Sequence, residues 1–163
     1  MNWLYEGREI STLSDFPENT IGFVYRITNK ETGKFYIGKK ILHNNLTKKL
    51  TKKETSEWSK PGRIPKKTKV KKESNWLDYC GSSKPLQEDI KSQGIENFVK
   101  EILVVCQNKR QLSYYEVYWQ MKSDCLSVDS YNENILGKYY RRDVIQSSPE
   151  LAGSAKRIED IFS

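Results

Sequence analysis

Apolar and polar positions along the chain fall into two periodicities. Gly22-Phe23-Val24-Tyr25-Arg26-Ile27-Thr28 is rich in β-branched and aromatic residues and reads as a strand. Asn29-Lys30-Glu31-Thr32-Gly33-Lys34 is turn chemistry, and Phe35-Tyr36-Ile37-Gly38 is a second β-prone run. The pattern predicts a β-hairpin with a loop of about six residues. Phe98 to Val105 predicts a third strand, its later half apolar enough to be buried. Two helices are predicted by their punctuation. One starts near Ser83, carries Pro85 early, and stops at Gly94. The other runs from Asn108, a residue suited to an N-cap, to Met121, with Leu112, Tyr115 and Trp119 repeating at helical spacing toward the core. Glu116 lies beside that inward stripe. The expected class is α+β (α/β in the broad sense): a small, mainly antiparallel three-stranded sheet flanked by helices.

The remaining segments predict the organisation around that unit. Residues 1–20 are polar with scattered apolar positions and read as an arm, with a turn at Phe16-Pro17-Glu18-Asn19. Residues 39–73 interrupt the domain 21–135 as an insertion, with a helix expected within 46–58. Asn75-Trp76-Leu77-Asp78-Tyr79 restores apolar character. Residues 124–134 read as a loop, and 136–163 as a tail with a helix expected over Pro149–Phe162.

Length and composition narrow the class. A chain of 163 residues with 36% apolar content is long enough for one domain with a real core. No apolar run approaches the ~18 residues of a membrane span. The start Met1-Asn2-Trp3-Leu4-Tyr5-Glu6 has neither a basic nor an apolar leader region. Cys80, Cys106 and Cys125 are odd in number and lack metal-ligand spacing, and His43 is the sole histidine, so a closed zinc site is hard to build. The expectation is a soluble, cytoplasmic protein with reduced thiols.

Charge changes the picture more. The formal net charge is +7, but it is concentrated. Residues 48–72 hold eleven cations (Lys48, Lys49, Lys52, Lys53, Lys60, Arg63, Lys66, Lys67, Lys69, Lys71 and Lys72) against Glu54 and Glu57, which gives +9 and leaves the rest at −2. Such a segment suits a polyanion, since each neutralised phosphate releases condensed counterions. A membrane surface usually wants an amphipathic apolar face, and Pro61, Gly62 and Pro65 break any long helix here. Nucleic acid is the better partner. Lys48, Lys49, Lys52, Lys53, Lys66, Lys67, Lys69, Lys71 and Lys72 are the candidates for tracking its backbone. Arg141 and Arg142, after Tyr139-Tyr140, are candidate contributors to sequence readout. Trp58 and Trp76 flank the segment as candidates for base stacking, although Trp76 beside Leu77 suits a core.

The hairpin carries a resemblance. Val24-Tyr25, ten residues, then Tyr36-Ile37-Gly38 resembles the GIY-YIG nuclease module, named for two short motifs on adjacent strands. A glutamate on a later helix, Glu116 in Ser113-Tyr114-Tyr115-Glu116, and an asparagine beyond it, Asn132, follow in the family's order. The likeness covers roughly 21–135 and is greatest to phage-encoded homing-type members and to restriction endonucleases with a long insertion after the second motif. It implies a metal-dependent DNA endonuclease using a single active site. Tyr25 would be the general base and Tyr36 an orienter of phosphate or water. Lys39 would be the cation that depresses a phenol pKa from about 10. Glu116 would be the single ligand of Mg²⁺ or Mn²⁺, an ion of the kind that keeps several waters. Asn132 would orient a phosphate or the tyrosines.

Two departures stand out. Phe23 occupies the position two before the first tyrosine, where the family often has glycine, and Gly22 lies one earlier. The catalytic arginine expected about two helical turns after the second motif is missing, since no arginine occurs between Arg26 and Arg63. By the resemblance, members with a long insertion supply this arginine later, which makes Arg63 the carry-over; an arginine matters there because its fork binds two phosphate oxygens at once. His43 is a further candidate proton carrier or a plain loop residue. The implied partner is double-stranded DNA, with a homodimer as one route to cutting both strands. The residues leave two alternatives open: a non-catalytic nucleic-acid-binding module on the same scaffold, or a small basic interaction protein that antagonises a host factor.

Overall fold

The structure is a computed structural model that describes residues 1–146. The predicted hairpin is its centre. Strands β3 (Gly22–Asn29) and β4 (Phe35–Ile41) pair antiparallel, with Tyr25 opposite Gly38 and Ile27 opposite Tyr36. The turn closes because Asn29 Oδ1 accepts the N–H groups of Glu31 and Thr32, and because Gly33 takes a φ of +74°.

Three further strands extend the sheet. β7 (Phe98–Cys106) pairs antiparallel along the free edge of β3. Its register slips where Val24 faces Val104 but Tyr25 faces Ile102, so Leu103 is an extra residue bulged out beside Tyr25. β1 (Trp3–Tyr5) pairs parallel with β7, and β2 (Arg8–Ile10) pairs antiparallel with β1. The order is β2-β1-β7-β3-β4, so the sheet has five strands and not the expected three. The added pair comes from residues 1–20, where Trp3 is fully buried and its Nε1 donates to the Trp76 carbonyl at 2.8 Å.

The basic insertion is mostly extended. β5 (His43–Lys49) and β6 (Lys67–Glu73) form a separate two-stranded antiparallel ribbon. The helix expected within 46–58 shrinks to α1 (Lys52–Ser56), which a Thr51–Glu54 capping box starts. The two predicted longer helices are present. α2 (Lys84–Gln93) is capped by Ser83 and ends at Gly94, whose φ is +87°. α3 (Lys109–Lys122) begins where Asn108 Oδ1 accepts the Gln111 N–H at 2.9 Å. Beyond a loop come β8 (Asn134–Ile135), β9 (Tyr139–Tyr140) and α4 (Arg141–Gln146). The helix expected over Pro149–Phe162 lies outside the described residues. No helix among the described residues is long and apolar enough to cross a membrane.

Strand alternation sends side chains to two cores. On one face Trp3, Phe23, Tyr25, Ile27, Trp76 and Phe98 pack with Leu86 of α2. On the other, Val24, Phe35, Ile37 and Cys106 pack with Leu112 of α3. Trp76 is therefore core and not a stacking surface, at 1% exposure. Lys100 is buried beneath the first core; its Nζ donates to the Leu77 carbonyl at 2.7 Å and sits 4.2 Å over the Trp3 ring.

Candidate active site

Parity along β4 decides what meets at this edge of the sheet. Ile37 faces α3, and Lys39, two residues on, shares that side and bonds to the helix; Tyr36 and Gly38 face the core that contains Tyr25. The Tyr25 and Tyr36 rings lie 6.1 Å apart between centroids. Gly38 is required between them. A β-carbon there would stand 2.6 Å from the Tyr25 hydroxyl and 2.9 Å from Tyr36 Cε1.

From the other side, α3 supplies the acid. Lys39 Nζ lies 2.9 Å from Glu116 Oε2 and also donates to Ser113 Oγ at 3.2 Å. Both residues line a cleft of about 590 Å³, together with Tyr36, Ser82, Lys84 and Asn132. The Tyr36 hydroxyl is 3.0 Å from Ser82 Oγ. The structure thus brings Tyr36, Lys39, Glu116 and Asn132 together around one space, with Tyr25 directly behind Tyr36 and only 1% exposed.

Three expected roles look different in three dimensions. The phenol pKa values move up, not down. Burial is the main cause at Tyr25, whose value stands well above 10, with the neighbouring Tyr36 and Tyr79 adding to it. Burial also dominates at Tyr36, opposed by its hydrogen bond to Ser82. Lys39 is spent on Glu116 and Ser113 and bonds to neither phenol. Asn132, 3% exposed, uses both ends of its amide on one residue: Oδ1 accepts the Ile37 N–H at 2.9 Å and Nδ2 donates to the Ile37 carbonyl at 2.8 Å. It mimics a neighbouring strand and fixes β4 between the two motif residues Tyr36 and Gly38.

Other candidates lie elsewhere. Arg63 is exposed on the loop between α1 and β6 and does not line the cleft. His43 opens β5 and lines a second cleft of about 440 Å³ with Ile21, Lys71 and Lys109. Arg141 turns inward and does not face out as a readout residue. Its guanidinium donates to the carbonyls of Cys125, Val128, Ser130 and Asn132, and so shapes the loop that presents Asn132. Arg142 stays outside, 3.7 Å from Asp143.

Sequence reasoning did not single out Ser82, Lys84 or Gln120. Gln120 was within reach, since it lies one helical turn after Glu116; it is buried and donates to the Ile37 carbonyl at 3.2 Å. Ser82 and Lys84 are brought to the cleft by the start of α2, which no local spacing ties to the hairpin.

A mainly antiparallel sheet with paired tyrosines on one hairpin and a helix carboxylate across a polar cleft is the arrangement that the hairpin's resemblance leads one to expect. The comparison with family models agrees: residues 3–144 match the model described as "Putative endonuclease segE, GIY-YIG domain". The chain belongs to the GIY-YIG nuclease family. No curated protein and no solved structure gives a significant match.

The divalent metal implied by the family can be tested against the residues present. Among the described residues, no group of three or more His, Cys, Asp or Glu side chains could cage an ion. Glu116 alone, with its side chain 19% exposed and open cleft in front of it, fits an ion that keeps most of its ligands as water and phosphate oxygen.

Proposed function

We propose that this protein is a metal-dependent endonuclease that hydrolyses phosphodiester bonds of double-stranded DNA in the cleft between β4 and α3. The observation that carries the reading is the Lys39–Glu116 pair, 2.9 Å apart, facing Tyr36 across that cleft. Glu116 would hold Mg²⁺ or Mn²⁺. An ion held there would neutralise phosphoryl oxygens and cancel the minor share that the Glu116 charge adds to burial in keeping both phenols protonated.

The chain's own groups divide the remaining tasks. Lys39 orients the Glu116 carboxylate and offers a cation to the phosphate. Lys84, which also lines the cleft, offers a second. Tyr36 faces the cleft and orients the phosphate or the attacking water with its hydroxyl. Tyr25, the base, first gives up its own phenolic proton to solvent and, as the phenolate, takes the proton of the attacking water. Asn132 and Gln120 act as positioning residues by fixing the backbone N–H and carbonyl of Ile37. Arg63 joins only if the loop after α1 closes on the substrate. One module holds one phosphate, so cutting both strands takes a homodimer or two successive nicks. A phage-encoded, homing-type role accords with the resemblance.

The test is nicking of supercoiled plasmid with and without Mg²⁺, by the native chain and by Glu116→Gln and Tyr36→Phe. Nicking that requires the metal and is lost in both variants, with duplex binding retained, supports the reading. A second reading, a binding module without catalysis, draws on the cleft lining, which contains lysines but no arginine among the described residues. Binding without cleavage by the native chain in either metal would establish it.

A further inference from the structure

The β5–β6 ribbon has two faces of different chemistry. Directly opposed residues of an antiparallel pair share a face. Asn44↔Lys72, Leu46↔Val70 and Lys48↔Thr68 form one face; Asn45↔Lys71, Thr47↔Lys69 and Lys49↔Lys67 form the other. The first face stabilises the ribbon itself. Leu46 and Val70 make its apolar cross-strand pair, and Lys48 is held by Glu54 of α1 at 2.8 Å. The Lys48 ammonium and the Thr51 hydrogen bonds pull the Glu54 carboxyl down to about 2.

The second face has no such internal use. Lys49, Lys67, Lys69 and Lys71 are all exposed there, interleaved with exposed Asn45 and Thr47. Glu73, at the base, has its Oε1 engaged by Trp76 Nε1 at 2.8 Å. Lysines opposed across a ribbon destabilise it unless a polyanion neutralises them. This face also meets the end of β4 and the start of α3 at its base. At its base Asn45 and Lys71 line the same 440 Å³ cleft as Ile41 of β4 and Lys109 of α3. β4 and α3 are the elements that carry Lys39 and Glu116.

The ribbon is tied to the sheet at its base. Only Leu42 separates β4 from β5; it is 2% exposed, donates its N–H to the Ile21 carbonyl at 2.9 Å and accepts from the Ser74 N–H at 2.8 Å. Seven-residue strands extend about 20 Å, and a two-stranded ribbon fits the ~12 Å major groove of B-form DNA.

We propose that the ribbon enters the DNA major groove with its Asn45–Thr47–Lys49/Lys67–Lys69–Lys71 face, where the lysines hold both groove walls and Asn45 and Thr47 reach base edges. The proposal rests on the DNA-cleaving reading above but assigns a distinct surface and a groove. A-form duplex RNA, whose major groove is deep and narrow, does not admit the ribbon.

The experiment measures binding by fluorescence anisotropy of a 30-bp DNA duplex and its RNA counterpart without divalent metal, across a salt series. Two charge-matched variants are compared, Lys69→Gln/Lys71→Gln and Lys48→Gln/Lys72→Gln. The first should lose about tenfold or more in affinity and shift the salt slope by about 2, against a markedly smaller change in the second. Asn45→Ala/Thr47→Ala should flatten preference among DNA sequences at unchanged salt slope. Duplex RNA should compete at least about tenfold more weakly. Equal losses in the two lysine pairs, or equal competition by RNA, would overturn the proposal. Thermal melting confirms that each variant folds. Because binding is read without cleavage, loss of the catalytic reading leaves this result standing. Conversely, an active enzyme indifferent to the ribbon's face would sink only the ribbon.

Discussion

The hydroxyl of Tyr25 occupies the space that a side chain on Gly38 would need. The two residues are direct partners across β3 and β4, and a β-carbon at 38 would lie 2.6 Å from that oxygen. The glycine is therefore set by the tyrosine and not by turn geometry. Gly38→Ala should destabilise the fold by about 1–3 kcal/mol through overpacking and lower cleavage more than binding. Tyr25→Phe in the same chain should recover part of the lost stability, since it removes the nearest atom. A denaturant double-mutant cycle reads the coupling; strict additivity of the two changes would contradict the contact.

Glu116→Gln preserves size and removes charge. Metal-dependent nicking should fall by about a hundredfold or more, as for loss of a key charge-stabilising group. Lys39→Met should lower cleavage less and shift its metal requirement, because Glu116 loses the ammonium that orients it. Nicking rates across a Mg²⁺ titration separate the two effects.

Tyr25 and Tyr36 hold their protons more tightly in the fold than in the unfolded chain, whose phenols titrate near 10. Tyr131 adds to this: burial, and then its bond to Asp89, push it up to about 12. Above about pH 10 the unfolded chain releases protons that the folded chain retains. Stability is thus complete below that pH and declines as pH rises through it. Melting temperature measured from pH 8 to 11.5 should bend downward near 10, and the bend should be shallower in Tyr25→Phe.

Arg141 and Asn132 act as one strut. Arg141→Lys keeps the charge but loses the fork that meets the carbonyls of Cys125, Ser130 and Asn132. It should cost about 1–3 kcal/mol of stability, the scale of leaving buried acceptors unsatisfied. Asn132→Leu should cost a similar amount and reduce cleavage by misplacing β4. Urea unfolding checks the first and nicking at fixed folded fraction the second.

Arg63 offers a direct test of how the arginine deficit is met. From its exposed loop, Arg63→Lys should change cleavage less than about threefold if Lys39 and Lys84 supply the phosphate cations. A loss of tenfold or more at unchanged duplex affinity would instead place Arg63 on the scissile phosphate, since lysine cannot reproduce its bidentate grip.

The parts that could be read from the sequence are those whose cause is local. The hairpin, α2 and α3 declare themselves through β-branched runs, the Ser83 and Asn108 caps and the Gly94 stop, and Glu116 through its place beside the Leu112–Tyr115–Trp119 stripe. What escaped depends on distant pairing. β1 and β2 are three residues each, too short for alternation to show, and are made strands by β7. The ribbon is exposed on both faces and rich in lysine, so it has neither the apolar period nor the composition of a strand. The inward roles of Asn132, Arg141 and Lys100 follow from carbonyls on other segments, which no spacing reveals. The upward phenol shifts follow from a depth of burial that motif spelling does not convey.

The parallel pairing of β1 with β7 has a consequence for how the chain assembles. Leu4 meets Glu101 and Tyr5 meets Ile102, contacts that close about two thirds of the described chain into one loop. The hairpin and the ribbon can form from neighbours as soon as they are synthesised, but the first strand must wait for the seventh. Folding should therefore finish at its own beginning, with a slow last step set by that long closure. Until then Trp3 stays outside, and its indole fluorescence is a natural clock for the moment the sheet is complete.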